Sequence, residues 1–180
     1  MQQTSEQFDR VIAKCKDIFL KKNNDYGTSW RILRSSSITD QIYIKATRIR
    51  GIETSGNHMV DEGIEPEFIG IVNYSILGLI QLKLTDNDPI ELEAEKTEKL
   101  YDATVTEVKD LMMRKNHDYG EAWRNMRVSS FTDMILMRLM RIRQIEDNQG
   151  QTIVSEGIDA NYMDMMNYSV FALIKLTEEN

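Results

Sequence analysis

KNNDYGTSWR, residues 22–31, returns 93 positions later as KNHDYGEAWR, residues 115–124. Read outward from these ten residues, the match grows: 18 of the 32 positions from Lys22 to Glu53 are identical at that offset. One inserted residue then moves the offset to 94. Glu62-Gly63-Ile64 matches Glu156-Gly157-Ile158, and Asn73-Tyr74-Ser75 matches Asn167-Tyr168-Ser169. The chain is an internal duplication of a unit of about 75 residues, a length too short to bury much by itself.

Each unit reads as three helices. Apolar residues 8, 11, 12, 15, 18 and 19 recur at helical spacing, which predicts a helix over about 5–24. It stops at Asp-Tyr-Gly, where Gly27 supplies a left-handed residue. A second helix is predicted over about 38–53, with Ser37 and Asp40 placed as a capping box. A third follows over about 65–84, its stripe made by Phe68, Val72, Ile76 and Leu79. Asp88-Pro89 reads as a helix start, so one long helix over about 89–116 is expected to join repeat unit one (5–84) to repeat unit two (89–178). The expected fold is all-α, at least about 60% helix with no sheet: two tandem three-helix repeats packed as one pseudo-two-fold helical bundle.

Charge is distributed unevenly. The 180 residues carry a net charge of −7. Residues 21–50 nevertheless hold five more basic than acidic residues and 114–143 hold four more, so the remainder is strongly acidic. Such a shell disfavours general nucleic-acid binding but leaves room for a small anion in a local basic pocket. The other reading of the same charges is a solvated helix face. No stretch is long and apolar enough for a membrane span. MQQTSEQFDR lacks the pattern of a secretory signal, so a cytoplasmic protein is expected, with no membrane partner. The single Cys15 lies in an apolar row and reads as a buried, reduced thiol.

The repeated polar residues are the candidate site. Lys22, Arg31 and Arg48, with Lys115, Arg124, Arg138 and Arg141, are candidates for phosphate contact, because Lys and Arg hold phosphate oxygens through charge and directed donors. Asp25 and Asp118 can bind a metal, orient an arginine or make an Asx turn. Tyr26 and Trp30, with Tyr119 and Trp123, make either an aromatic wall for a base or ordinary core. Asn73 and Asn167 sit beside apolar stripes and need a partner, either a ligand or a helix terminus.

Here the repeats differ. Asp164 stands three residues before Asn167, whereas Gly70 stands before Asn73. Any chemistry is therefore expected at Asp118, Asp164 and Asn167, with Asp118 and Asp164 as ligands of a divalent cation such as Mg2+. Two arrangements are open: Asp164 meets Asp118 within unit two, or faces Asp25 across the two-fold. Neither a phosphate-binding Gly-x-x-x-x-Gly-Lys-Ser loop nor a dinucleotide fingerprint is present, and His58 and His117 lack ligand spacing, so zinc, haem, flavin and NAD are not expected.

These stretches resemble the nucleotide modification associated domain 1 family. The resemblance rests on Lys-Asn-x-Asp-Tyr-Gly-x-x-Trp, on Ser36-Ser37-Ile38-Thr39-Asp40 with Ser129-Ser130-Phe131-Thr132-Asp133, on the Arg-Ile-Arg helix and on Asp-x-x-Asn-Tyr, and it covers both units. It implies a helical fold and a link to nucleotide or base modification. The partner expected from the basic segments is a nucleotide or other phosphate anion, and the chain is compatible with a homodimer. The resemblance assigns no catalytic residue. A looser similarity is to the MazG-like all-α nucleoside triphosphate pyrophosphohydrolases, whose Glu-Glu-x-x-Glu helix followed by Glu-x-x-Asp holds magnesium; neither element is present. The readings carried forward are a nucleotide-binding protein acting on a free nucleotide with a divalent metal, a pyrophosphohydrolase of that kind, and a non-catalytic helical interaction module.

Overall fold

The structure, a computed structural model, describes residues 2–56, 63–153 and 156–178. Six helices follow in order: α1 (Gln2–Tyr26), α2 (Ser35–Ser55), α3 (Glu65–Lys83), α4 (Ala94–Tyr119), α5 (Val128–Asp147) and α6 (Ile158–Glu178). A short 3₁₀ turn precedes α2 (Ser29–Ile32) and another precedes α5 (Ala122–Asn125). No strand occurs among the described residues, so the expected all-α fold holds. No helix among them is long and apolar enough to cross a membrane. His58, and most of the loop before α3, lie outside the described residues.

The third helix of each repeat forms the centre. α3 buries Phe68, Ile71, Val72, Ile76, Leu79 and Ile80, and α6 buries Tyr162, Met165, Met166, Val170, Leu173 and Ile174. Helices so apolar on most of their circumference must be covered on most sides. They pack on each other, on α2 and α5, and against α1 and α4. Gly78 lets Tyr162 close on α3: a Cβ at Gly78 would stand 2.8 Å from the Tyr162 ring. The Tyr162 hydroxyl is 2.9 Å from Thr39 Oγ1, so this buried ring also satisfies its polar end.

α2 and α5 meet through matched pairs. Arg143 bonds Asp40 at 2.9 Å, and Arg50 approaches Asp133 at 3.9 Å. Thr132 donates to Glu53 at 2.9 Å, and Thr39 lies 3.4 Å from Glu146. Adding 93 to the unit-one member of either pair gives the unit-two member of the other, so the repeats are related by an approximate two-fold axis through this contact.

Two sequence expectations about helix starts change. α2 begins at Ser35 with no side-chain cap, so Asp40 is free of capping and serves the α2–α5 ion pair instead. The joining helix begins at Ala94, not at Pro89. Asp88 caps a tight turn, accepting the Thr85 amide at 2.9 Å. That bond, chiefly, holds its carboxyl below the usual carboxylate range. Residues 85–92 are then fastened to unit one. Arg31 donates to the carbonyls of Thr85, Asp88 and Pro89, and Thr28 Oγ1 bridges the Ile90 carbonyl (2.6 Å) and the Leu92 amide (2.9 Å). A backbone whose polar groups are taken in this way cannot also wind into a helix.

Candidate functional site

The Asp-Tyr-Gly stretch ends α1 and α4 in the same manner. Gly27 (φ 60°) donates its amide to the Asn23 carbonyl and Gly120 (φ 59°) to that of Asn116, as the left-handed glycine expectation required. The sharp stop brings each 3₁₀ turn back over the third helix of its own repeat. Gln81 Nε2 on α3 donates to the carbonyls of Arg31 and Leu33, and Lys175 on α6 donates to that of Arg124. Between the turn, the first helix and the third helix a cavity remains in each repeat.

The first cavity measures about 720 Å³ and includes Lys14, Lys22, Asn23, Tyr26, Trp30, Lys45, Glu65, Gly70, Asn73 and Tyr74 in its wall. The second measures about 410 Å³ and includes Lys115, Asn116, Tyr119, Trp123, Arg138, Asp164, Asn167 and Tyr168. Both fall within the range of small-molecule pockets. Each is lined by its own repeat, so the crossed arrangement of Asp164 with Asp25 is not the one adopted.

Their electrostatics diverge at one position. In the second cavity the Asp164 side chain is 5% exposed and lies 2.9 Å from Lys115 Nζ and 2.7 Å from Arg138 Nη2. The Arg138 contact is close but poorly aligned as a hydrogen bond, so its attraction is mainly coulombic. Burial alone would lower the Lys115 ammonium; its bond to Asp164 carries it above the ordinary value. In the first repeat Gly70 takes the place of Asp164, and the acid sits one turn earlier, at Glu67. Glu67 pairs with Lys45 at 3.2 Å and Arg48 at 2.7 Å. Lys22, the counterpart of Lys115, lines the cavity with no ion-pair partner among the described residues. The Lys45 stem lies against Gly70, its Cε 2.7 Å from where a Cβ would stand.

Buried polar atoms without a partner mark both cavities. In the first they are Trp30 Nε1 and Asn23 Oδ1; in the second, Trp123 Nε1, Asn167 Oδ1, Arg138 Nε and Asp164 Oδ2. Such orphaned groups cost free energy unless something bonds them. Asn73 differs from Asn167 because it is fully used: it donates to the Cys15 carbonyl (3.0 Å) and accepts from Tyr101 (2.9 Å). In the repeat register Tyr101 answers to Phe8, which has no hydroxyl to give Asn167.

Several sequence candidates have structural work instead. Arg31 clamps the linker and Gln81. Arg124 bonds Thr4, Gln7 and Glu121 and lies over the Trp123 ring. Arg48 serves Glu67, and Arg141 is exposed beside Met137; neither lines a cavity. Asp25 is exposed and Asp118 points outward next to His117, so Asp118 does not join Asp164 in the cavity wall. Lys14, Lys45, Gly70, Tyr74 and Tyr168 were not picked out as lining residues. Their signal was available only as helical register relative to Lys22 and Asn73.

Among the described residues neither cavity presents a preformed set of ligands for a divalent cation. Each cavity offers one carboxylate, Glu65 or Asp164, and both are already ion-paired to lysine. No cluster of three or more metal-ligating side chains occurs among the described residues.

The family model of nucleotide modification associated domain 1 matches the chain twice, over residues 22–82 and 115–176. No curated protein and no solved structure matches it.

Proposed function

The chain belongs to that family through both of its repeats, and from this premise we propose that it binds a free nucleotide in the first cavity. The observation that carries the reading is Lys22, which lines a cavity of about 720 Å³ and has no ion-pair partner among the described residues. Lys45 and Lys14, paired to Glu67 and Glu65, line the same cavity, so a phosphate group held by Lys22 would have two further ammonium groups nearby. Tyr26, Trp30 and Tyr74 offer aromatic surface for a base, and Trp30 Nε1 and Asn23 Oδ1 offer it one donor and one acceptor. A cytoplasmic setting, where free nucleotides occur, is part of the proposal. The donor set gives no support to a magnesium-dependent hydrolytic step, so the reading is one of binding.

The test is a thermal-shift and calorimetric screen of ribo- and deoxynucleotides. A ligand present at about 100 times its dissociation constant should stabilise the fold by about 2.7 kcal/mol. Lys22→Ala combined with Lys45→Ala should weaken a phosphate-bearing ligand by about 1.5–3 kcal/mol. Unchanged affinity in that variant sinks the reading.

A further inference from the structure

We infer that the second cavity is a separate site for an uncharged heteroaromatic ligand, a nucleobase or nucleoside without phosphate, with Asp164 excluding the phosphorylated forms. Only the choice of probes rests on the nucleotide reading of the first cavity; the site itself is argued from its own walls.

Two neutral side chains point to a ligand, beside Arg138 and Asp164, whose own unbonded Nε and Oδ2 belong to groups already ion-paired to each other. Trp123 is 6% exposed and Asn167 5%, and each has a buried polar atom with no partner. Trp123 is not free to stack. Phe171 lies parallel to it at 4.4 Å, and the Arg124 guanidinium sits over the ring at the same distance from its centroid. What remains is the indole edge with its N–H. The Asn167 oxygen supplies an acceptor in the same cavity. A donor and an acceptor, both neutral, suit a ligand that carries the complementary pair on one planar edge. Met112, Ala122, Met126 and Met134 add apolar, deformable wall, and Asn116, Tyr119 and Tyr168 complete it.

Charge sets the ligand class. The cavity contains two cations, which by themselves would favour phosphate. Both are engaged by Asp164, whose carboxylate occupies the place between Lys115 and Arg138 that an anion would take. An incoming phosphate would have to displace a covalently attached competitor and then lie beside its negative charge. A neutral base meets neither obstacle. In the first cavity Gly70 removes the obstacle, so the two repeats divide what a nucleotide combines: one takes base with phosphate, the other takes base alone.

The experiment uses the full chain carrying Lys22→Ala and Lys45→Ala, so that phosphate contacts of the first cavity are removed. Adenosine, guanosine, cytidine, uridine and their 5′-monophosphates are titrated by calorimetry. At least one nucleoside should bind at least about tenfold more tightly than its monophosphate. Adding Asn167→Leu should weaken that nucleoside by about three- to tenfold, the value of one neutral hydrogen bond. Adding Asp164→Asn should narrow or reverse the preference, because an amide cannot neutralise Lys115 and Arg138. If Asp164→Asn proves too unstable to titrate, the nucleoside-to-monophosphate ratio and the Asn167→Leu effect decide alone. The inference is overturned if no nucleoside binds, if the monophosphates bind equally well, or if Asn167→Leu changes nothing. Failure of the first-cavity reading looks different: the parent chain would then bind nucleotides no better than the double lysine variant.

Discussion

Lys22 and Lys115 stand at the same place in their repeats, each about one turn before an Asp-Tyr-Gly stop. One faces an open cavity with no ion-pair partner among the described residues, and the other is bonded to Asp164 at 2.9 Å. The two units differ in the Lys14–Glu65 pair, which only the first cavity has, and in where on the third helix the other acid stands. Glu67 reaches only the residues of α2, whereas Asp164, one turn later, reaches α4 and α5 together. With the acid at position 164 the cavity's lysine is ion-paired; with it at position 67 Lys22 has no ion-pair partner among the described residues.

The largest expected effect comes from removing that carboxylate. Asp164→Ala leaves Arg138, whose side chain is 15% exposed, without its counter-charge. We expect about 3 kcal/mol of destabilisation in urea titrations, at the low end for a broken buried pair because Lys115 keeps part of its side chain in water. A loss under about 1 kcal/mol would mean the pair is no more than a surface contact. The converse change writes the second arrangement into the first cavity. Gly70→Asp should let Lys22 and Lys45 close on an internal acid and weaken pyrophosphate binding by about 10- to 150-fold. Undiminished binding would show that the phosphate contact lies elsewhere.

The asparagines sharpen the comparison from the other side. Asn73→Leu strands the Cys15 carbonyl and the Tyr101 hydroxyl, and should cost about 1–2 kcal/mol in thermal unfolding. Asn167→Leu removes an oxygen that has no partner, so the fold should be unaffected or slightly firmer. Equal costs for the two would contradict the asymmetry. The smallest effect concerns Glu53 and Glu146, which should behave alike because they lie on the shared two-fold. Burial pushes both carboxyls up, against the pull of their threonine bonds. A carboxyl raised in the folded state stabilises fully below the ordinary glutamate range, and that contribution is lost as pH rises through the folded value. Replacing both by Gln should therefore raise Tm by about 2 °C at pH 7 and by nothing near pH 4. The same gain at both pH values would rule out titration as its source.

The sequence carried the architecture because periodicity and repetition are local signals. Phe8, Val11, Ile12, Cys15 and Phe19 announced α1, and Gly27 announced its end. It carried part of the site for the same reason: Lys22, Tyr26 and Trp30 belong to the repeated stretch, and they do line the cavity. The arginines were harder. A count of positive charge cannot say which face of a turn an arginine leaves from, so Arg31 and Arg124 looked like ligand contacts although they hold the turns in place. Asp164 stood out as the acid that unit one lacks, but its meaning depended on Lys115, 49 residues away and on another helix. Pro89 misled because its preference for a helix start was overruled by Thr28 and Arg31, which claim the same backbone.

The matched pairs between α2 and α5 have a consequence for how such a difference arises. Asp40 with Arg143 and Arg50 with Asp133 are the two halves of an isologous contact, in which either unit supplies both ends. A single unit carries everything needed to meet a copy of itself. Tethering the two copies makes their encounter intramolecular, at an effective concentration on the order of millimolar, whatever the dilution of the protein. It also frees them from symmetry. In a dimer of identical units a change at one position is written into both sites at once. In the tethered pair position 70 is glycine while its twin is aspartate, so one molecule holds two cavities whose charges are arranged differently.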